Sequence, residues 1–213
     1  MFLFEIAHPA GAFDDADREL FGSSVTDTLT APGHAPEETM RRAALATHLA
    51  FHELTGWRTG NGPYRRGDPP PLIVTVTTPQ AWIEDEGARF YIGTVRAAVN
   101  RLDAAHGWKR DPGSLWVRIN GVPDGSIGCD GKQATADDVL DFLTADYRAA
   151  VVNGDARKIP AGKLLDPTCG MLVPDVAASM PIEHDGVRVG FCAKGCRDSY
   201  IRHAGLHGMI AEN

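Results

Sequence analysis

Apolar and polar positions along this chain fall into a strand–helix–strand pattern that occurs twice, followed by one further helix and a short cysteine-bearing segment. Leu3-Phe4-Glu5-Ile6 reads as an apolar strand ended by Pro9. Asp14 to about Leu29 reads as a helix with Phe21, Val25, Thr28 and Leu29 on one face. A loop holding Pro32, Gly33 and Pro36 follows, and Leu45 to His52 alternates with period two, as a half-buried strand does. Gly56, Gly60, Gly62, Pro63 and the run Pro69-Pro70-Pro71 then break the pattern. The order restarts with a strand at Leu72-Ile73-Val74-Thr75-Val76, ended by Pro79. A helix from Glu84 to about Ala105 places Tyr91, Val95, Ala98, Val99 and Leu102 on one face, and Leu115 to Ile119 is the next strand. Shifted by seventy residues, Pro9 meets Pro79, Asp14 meets Glu84, Phe21 meets Tyr91 and Val25 meets Val95. Two β-α-β units are therefore expected, each with parallel strands and a right-handed crossover.

Downstream, Thr135 with Asp138 three residues on forms a capping box that starts a helix through Val139, Phe142, Leu143 and Tyr147, with Asn153-Gly154 as its C-cap. The polar, breaker-rich stretch Asp155 to Gly162 reads as a domain boundary. The expected organisation is a double β-α-β domain over 1–131, a connector helix and linker over 132–159, and a small module over 160–213.

That module carries the candidate chemistry. Three of the four cysteines fall in it, as Asp166-Pro167-Thr168-Cys169-Gly170-Met171 and Phe191-Cys192-Ala193-Lys194-Gly195-Cys196. A thiolate cage needs backbone turns that aim several sulfurs at one point, and this spacing supplies them. Cys169 precedes a glycine that can take positive φ, Asp185-Gly186 signals a type I′ hairpin, and Cys192 and Cys196 are spaced to share the start of a helix. Asp166 is a candidate fourth, harder ligand that completes a tetrahedral Zn²⁺ site. If Asp166 instead caps the turn, three sulfurs alone suit Cu(I) or Hg(II). His203 and His207 are alternative fourth ligands. A module of this size with few large apolar side chains draws much of its folding free energy from a bound ion.

Composition narrows the rest. Of 213 residues, 43% are apolar and 23% charged, which is ordinary for a folded globular chain. The formal net charge is -7 and no basic stripe occurs, which argues against a nucleic-acid partner. The N-terminus lacks a basic n-region and no run of about 18 apolar residues occurs, so a soluble, cytoplasmic protein with no membrane partner is expected. Clustered cysteines fit that reduced compartment.

Residues 1–131 resemble the fused form of the tautomerase superfamily. The likeness rests on Pro9 to Asp14, Pro79 to Glu84, the amphipathic helices, and a second strand running into Val122-Pro123-Asp124-Gly125-Ser126-Ile127-Gly128. It implies a homo-oligomer, usually a trimer, and chemistry resting on an N-terminal proline that acts as general base. Here residue 1 is Met, followed by the bulky Phe2, and the matching Pro71 has its nitrogen locked in an amide. Enzymatic activity is therefore uncertain from sequence, and this part reads first as a structural or binding unit. His48 and His52 on one strand face, Arg41-Arg42 and Arg65-Arg66 as carboxylate holders, and the thiol of Cys129 are further candidates; a polar strand face, solvated loops and an inert thiol account for them equally.

From Ile159 onward the chain resembles a YHS domain of the TRASH group of metal-binding modules. Asp166 to Met171, His184 to Cys192, then Cys196 and Tyr200 carry the likeness, with the spacing Cys-x22-Cys-x3-Cys. The aromatic pair usual before the second cysteine is reduced to Gly190-Phe191. The expected fold class is α+β: two tandem β-α-β units with helices on one face of a sheet, plus a small treble-clef-like metal-binding module. The expected function is transition-metal binding for trafficking, resistance or sensing. The alternatives are a tautomerase-like enzyme acting on a small carbonyl or carboxylate substrate, and a zinc-stapled adaptor for a protein partner.

Overall fold

The computed structural model describes residues 2–31, 35–83, 86–153 and 158–206. Met1, Pro32, Gly33, Glu84, Gly154 to Arg157 of the expected boundary, and His207 lie outside the described residues. In chain order the elements are β1 (Phe2–Pro9), α1 (Asp15–Leu29), α2 (Glu37–Leu45), β2 (Thr47–Leu54), β3 (Arg58–Thr59), β4 (Gly62–Pro63), β5 (Leu72–Pro79), α3 (Glu86–His106), β6 (Leu115–Val122), β7 (Ile127–Cys129) and β8 (Lys132–Ala134). They continue with α4 (Ala136–Val152), β9 (Lys163–Leu165), β10 (Leu172–Pro174), β11 (Ile182–His184), β12 (Val187–Val189) and α5 (Lys194–His203). The fold is α+β. The chain forms two compact units, one of Met1–Leu29 with Leu45–Asp124, the other of Thr30–Ala44 with Gly125–Asn213.

The first unit is the repeat made visible. Its sheet has the order β2-β1-β5-β6, with β1 parallel to β2, β5 parallel to β6, and β1 antiparallel to β5. Each parallel pair is joined across a helix, as a β-α-β return requires, and the two units meet through their first strands. Phe4 and Ile6 of β1 and Val74 and Val76 of β5 bury against Phe21 and Val25 of α1 and Val95, Val99 and Leu102 of α3. Each such side chain removed from water stabilises the fold by about 1.5–3 kcal/mol. The start of α1 is fixed by a reciprocal cap: Asp17 N–H donates to Asp14 at 2.9 Å, and Asp14 N–H donates to Asp17 at 3.1 Å. The alternate positions of the strands stay open to solvent, including Ile73 (43% exposed) and its register partner Trp116 (67% exposed).

The structure differs from the sequence expectation in two places. Leu45 ends a helix instead of starting a strand, and β2 begins at Thr47. Residues 37–45 therefore form α2, which puts Arg41 and Arg42 on a helix and not in a loop. Pro36 accepts the first helical bond from Met40 N–H at 3.0 Å, Glu37 and Glu38 occupy the first turn, and Thr39 and Ala43 make one buried stripe. The helix expected as a connector, α4, carries buried Val139, Leu140, Leu143 and Tyr147 and belongs to the second unit. Its expected capping box is present: Asp138 N–H donates to Thr135 Oγ1 at 3.2 Å, and Thr135 N–H donates to the Asp138 carboxylate at 2.7 Å. Arg42 ties α2 to α4, donating to Asp146 at 2.6 Å and to the Phe142 carbonyl at 3.0 Å while its guanidinium lies 5.1 Å from the Phe142 ring centre.

Candidate metal centre

Three local structures of the second unit bring the site together, in the order turn, hairpin, helix. The antiparallel pair β9 and β10 is closed by a tight turn in which Gly170 N–H donates to the Asp166 carbonyl and Asp166 N–H donates to the Met171 carbonyl, both at 2.8 Å. Gly170 has φ 78, and a Cβ there would sit 2.4 Å from Pro36 Cγ and 2.6 Å from Tyr147 Cε2. Only glycine suits both the backbone and the space. The hairpin β11–β12 turns through Asp185 (φ 52) and Gly186 (φ 75), the pattern of a type I′ turn. Cys192 lies just ahead of α5, whose N-cap is Ala193, and Cys196 sits in its first turn.

One ligand atom from each of Asp166, Cys169, Cys192 and Cys196 lies within 4.8 Å of all the others, the only such group among the described residues. Cys169 Sγ is 3.6 Å from Cys192 Sγ, which is 3.5 Å from Cys196 Sγ. All four cysteines are free thiols; Cys169 and Cys196 are buried, and Cys192 is exposed.

Asp166 is fully buried. One carboxylate oxygen accepts the N–H of Thr168 at 2.9 Å and of Cys169 at 3.4 Å, and the other accepts the N–H of Cys192 at 2.9 Å. A single carboxylate therefore ties the turn to the start of α5. Burial, followed by the negative charge of Cys169, pushes its pKa up to about 7 against those N–H bonds. A cation among the sulfurs works the other way and holds the group ionised. Hydrogen bonds from the thiols of Cys192 and then Cys196 lower the pKa of Cys169. The charge so placed raises Cys192 and Cys196 through the same contacts. The cluster thus favours a single thiolate, at Cys169, with Cys192 and Cys196 held as thiols beside it.

Two threonines complete the support, and neither was legible in the sequence. Thr168 Oγ1 donates to the Cys196 carbonyl at 2.9 Å, and Thr39 Oγ1 of α2 donates to the Cys169 carbonyl at 3.2 Å. Gly190, where the resemblance leads one to expect an aromatic, has no room for one: a Cβ would lie 2.8 Å from Val173 Cγ2 and 2.9 Å from Leu164 Cδ1. Phe191 alone is buried there, with its ring 5.6 Å from that of Tyr200. Tyr200 also pairs with His184, its hydroxyl 2.6 Å from Nδ1.

The other candidate residues lie elsewhere. His203 is exposed at the end of α5 and outside the cluster. Cys129 ends β7, half-buried, also outside it. His48 and His52 are exposed on β2, with His52 3.4 Å from Glu5. Arg41 and Arg42 both engage Asp146, at 2.6 Å each, so they hold a carboxylate of the protein itself. Arg65 and Arg66 are exposed beyond β4. Pro71 immediately precedes β5.

No protein-family model and no curated protein matches this chain. Among solved structures it is similar to a native fused 4-OT (20% identity over 63% of this chain and 95% of that one, TM-score 0.44). It is also similar to a probable enzyme from the thermophilic fungus Aspergillus fumigatus (11% identity, 75% and 98%, TM-score 0.48). A third is a member of the cis-3-chloroacrylic acid dehalogenase family (14% identity, 71% and 99%, TM-score 0.43).

Proposed function

We propose that this is a metal-binding protein whose second unit takes a soft or borderline transition metal, Zn, Cu(I) or Hg(II), at Cys169, Cys192 and Cys196, in metal trafficking, resistance or sensing. The observation that carries this reading is the convergence of three sulfurs and one carboxylate within 4.8 Å. We assign Asp166 as the fourth ligand. The oxygen that accepts only the Cys192 N–H keeps a lone pair, so capping the backbone and closing a tetrahedron are compatible. Three thiols joined by one carboxylate are a donor set that supports Zn as the ion carried on isolation. The free, clustered thiols support a cytoplasmic, reducing setting.

Elemental analysis of the purified chain tests this. Wild type should carry zinc, Cys169→Ser should lose it, and Asp166→Ala should bind it at least about tenfold more weakly. Full zinc retention by Asp166→Ala makes the site a three-sulfur cage, with Cu(I) or Hg(II) as its cargo. Failure of the reduced wild type to take up any of these ions overturns the proposal.

The first unit serves in this reading as a homo-oligomeric scaffold, by resemblance a trimer, and its open sheet face with Ile73 and Trp116 is the surface such an assembly would cover. The second reading, a tautomerase-like enzyme on a small carbonyl or carboxylate, rests on the pairing of two β-α-β units around β1 and β5. Turnover of an enol substrate that survives Cys169→Ser would favour it.

A further inference from the structure

We infer that the same cage is a peroxide-operated release device, in which Cys192 and Cys169 close into a disulfide and empty the site. This rests on the metal-binding reading. With an ion bound all three sulfurs are thiolates, so access decides which one meets an oxidant, and Cys192 is the most open of the three residues. Its Sγ already stands 3.6 Å from that of Cys169. The backbone N–H groups of both residues are held by the two oxygens of Asp166, which is a protein contact and persists when the ion departs. The pair is thus preorganised from the knuckle side. The competing pair, Cys192 with Cys196, is as close at 3.5 Å, but it lacks the tie through the Asp166 carboxylate that joins Cys192 to Cys169.

The oxidant is hydrogen peroxide, and the chemistry balances. The Cys192 thiolate attacks one peroxide oxygen; the S–O bond forms, the O–O bond breaks, and hydroxide leaves. The Cys169 thiolate then attacks the Cys192 sulfur; the S–S bond forms, the S–O bond breaks, and a second hydroxide leaves. Both hydroxides take protons from solvent to become water. The two sulfurs give up two electrons, the peroxide accepts them, and an ion is left with one thiolate instead of three.

The test treats the zinc-loaded full chain with hydrogen peroxide, reads zinc release with a chromophoric chelator, and maps disulfides by peptide mass. Release in step with a Cys169–Cys192 bridge, both reversed by dithiothreitol, is the expected result. Cys196→Ser should still form the bridge. In the double variant Cys169→Ser/Cys196→Ser, which leaves no neighbouring thiol to resolve it, peroxide with dimedone should give an adduct on Cys192. Should these variants fold poorly, timed alkylation of wild type, with Cys192 oxidised first, gives the same answer. A chain that holds zinc but keeps it under peroxide, or that bridges Cys192 to Cys196, overturns the inference. A reduced chain that binds no zinc at the outset overturns the metal reading instead.

Discussion

At the scale of single residues, Asp166 and the glycines around it decide the site. Removing the Asp166 carboxylate leaves three buried N–H groups unsatisfied. Asp166→Ala should therefore cost the metal-free second unit about 3 kcal/mol, seen as a lower urea midpoint. The glycines separate backbone strain from packing. Gly186 (φ 75) has open space around it, so Gly186→Ala should cost about 1 kcal/mol. Gly170→Ala adds overlap with Pro36 and Tyr147 to the same strain and should cost about 3 kcal/mol. Equal losses at the two positions would contradict this account. Cysteine spacing and the Asp185-Gly186 signal made the cysteine cluster and the hairpin legible in the sequence, because both rest on local turns. Thr39 was not, because a hydroxyl on a helix 130 residues away from Cys169 leaves no local mark.

At the scale of elements, the strands and helices of the first unit were legible from periodicity, and the missed element was α2. Its amphipathic stripe is only two buried residues wide, Thr39 and Ala43, while Pro36 and the charged pair Arg41-Arg42 imitate a loop. What holds it is tertiary: both arginines grip Asp146 of α4, and the Arg42 guanidinium, followed by that of Arg41, holds the Asp146 carboxyl down at about 2. A carboxyl depressed by folding contributes stability that is present above its unfolded pKa and lost as pH falls through the folded value. Between about pH 4 and pH 2 the second unit should therefore weaken. Asp146→Asn should flatten that part of the stability profile when urea midpoints are compared. Thr135→Ala, which opens the capping box of α4, should cost about 1 kcal/mol independently of that pH range.

At the scale of the molecule, each unit has a core of its own, and the two should respond differently to loss of metal. The first is built on Phe4, Ile6, Phe21, Val74, Val76 and Leu102. The second relies on short two-stranded ladders, two longer helices and the thiolate cage. On the metal-binding reading, stripping zinc with a chelator under reducing conditions should expose residues 158–206 to protease while 47–122 stays resistant, a contrast that limited proteolysis with mass mapping reads directly. The repeat and the cysteine cluster announced two units in the sequence. That 30–44 belongs with the second could not be read there, since the pairing of α2 with α4 is a long-range choice.

That excursion imposes a timetable on synthesis. Nine residues make too short a helix to persist alone, and α2 emerges from the ribosome roughly 5 to 20 s before α4 can follow. The first unit must assemble around a gap in its own sequence while α2 waits, and the cysteine-bearing half is completed only by a segment made long before it. A fragment of 125–213 produced alone should accordingly stay loosely packed and dye-binding, and a synthetic 30–44 peptide should restore its order in trans.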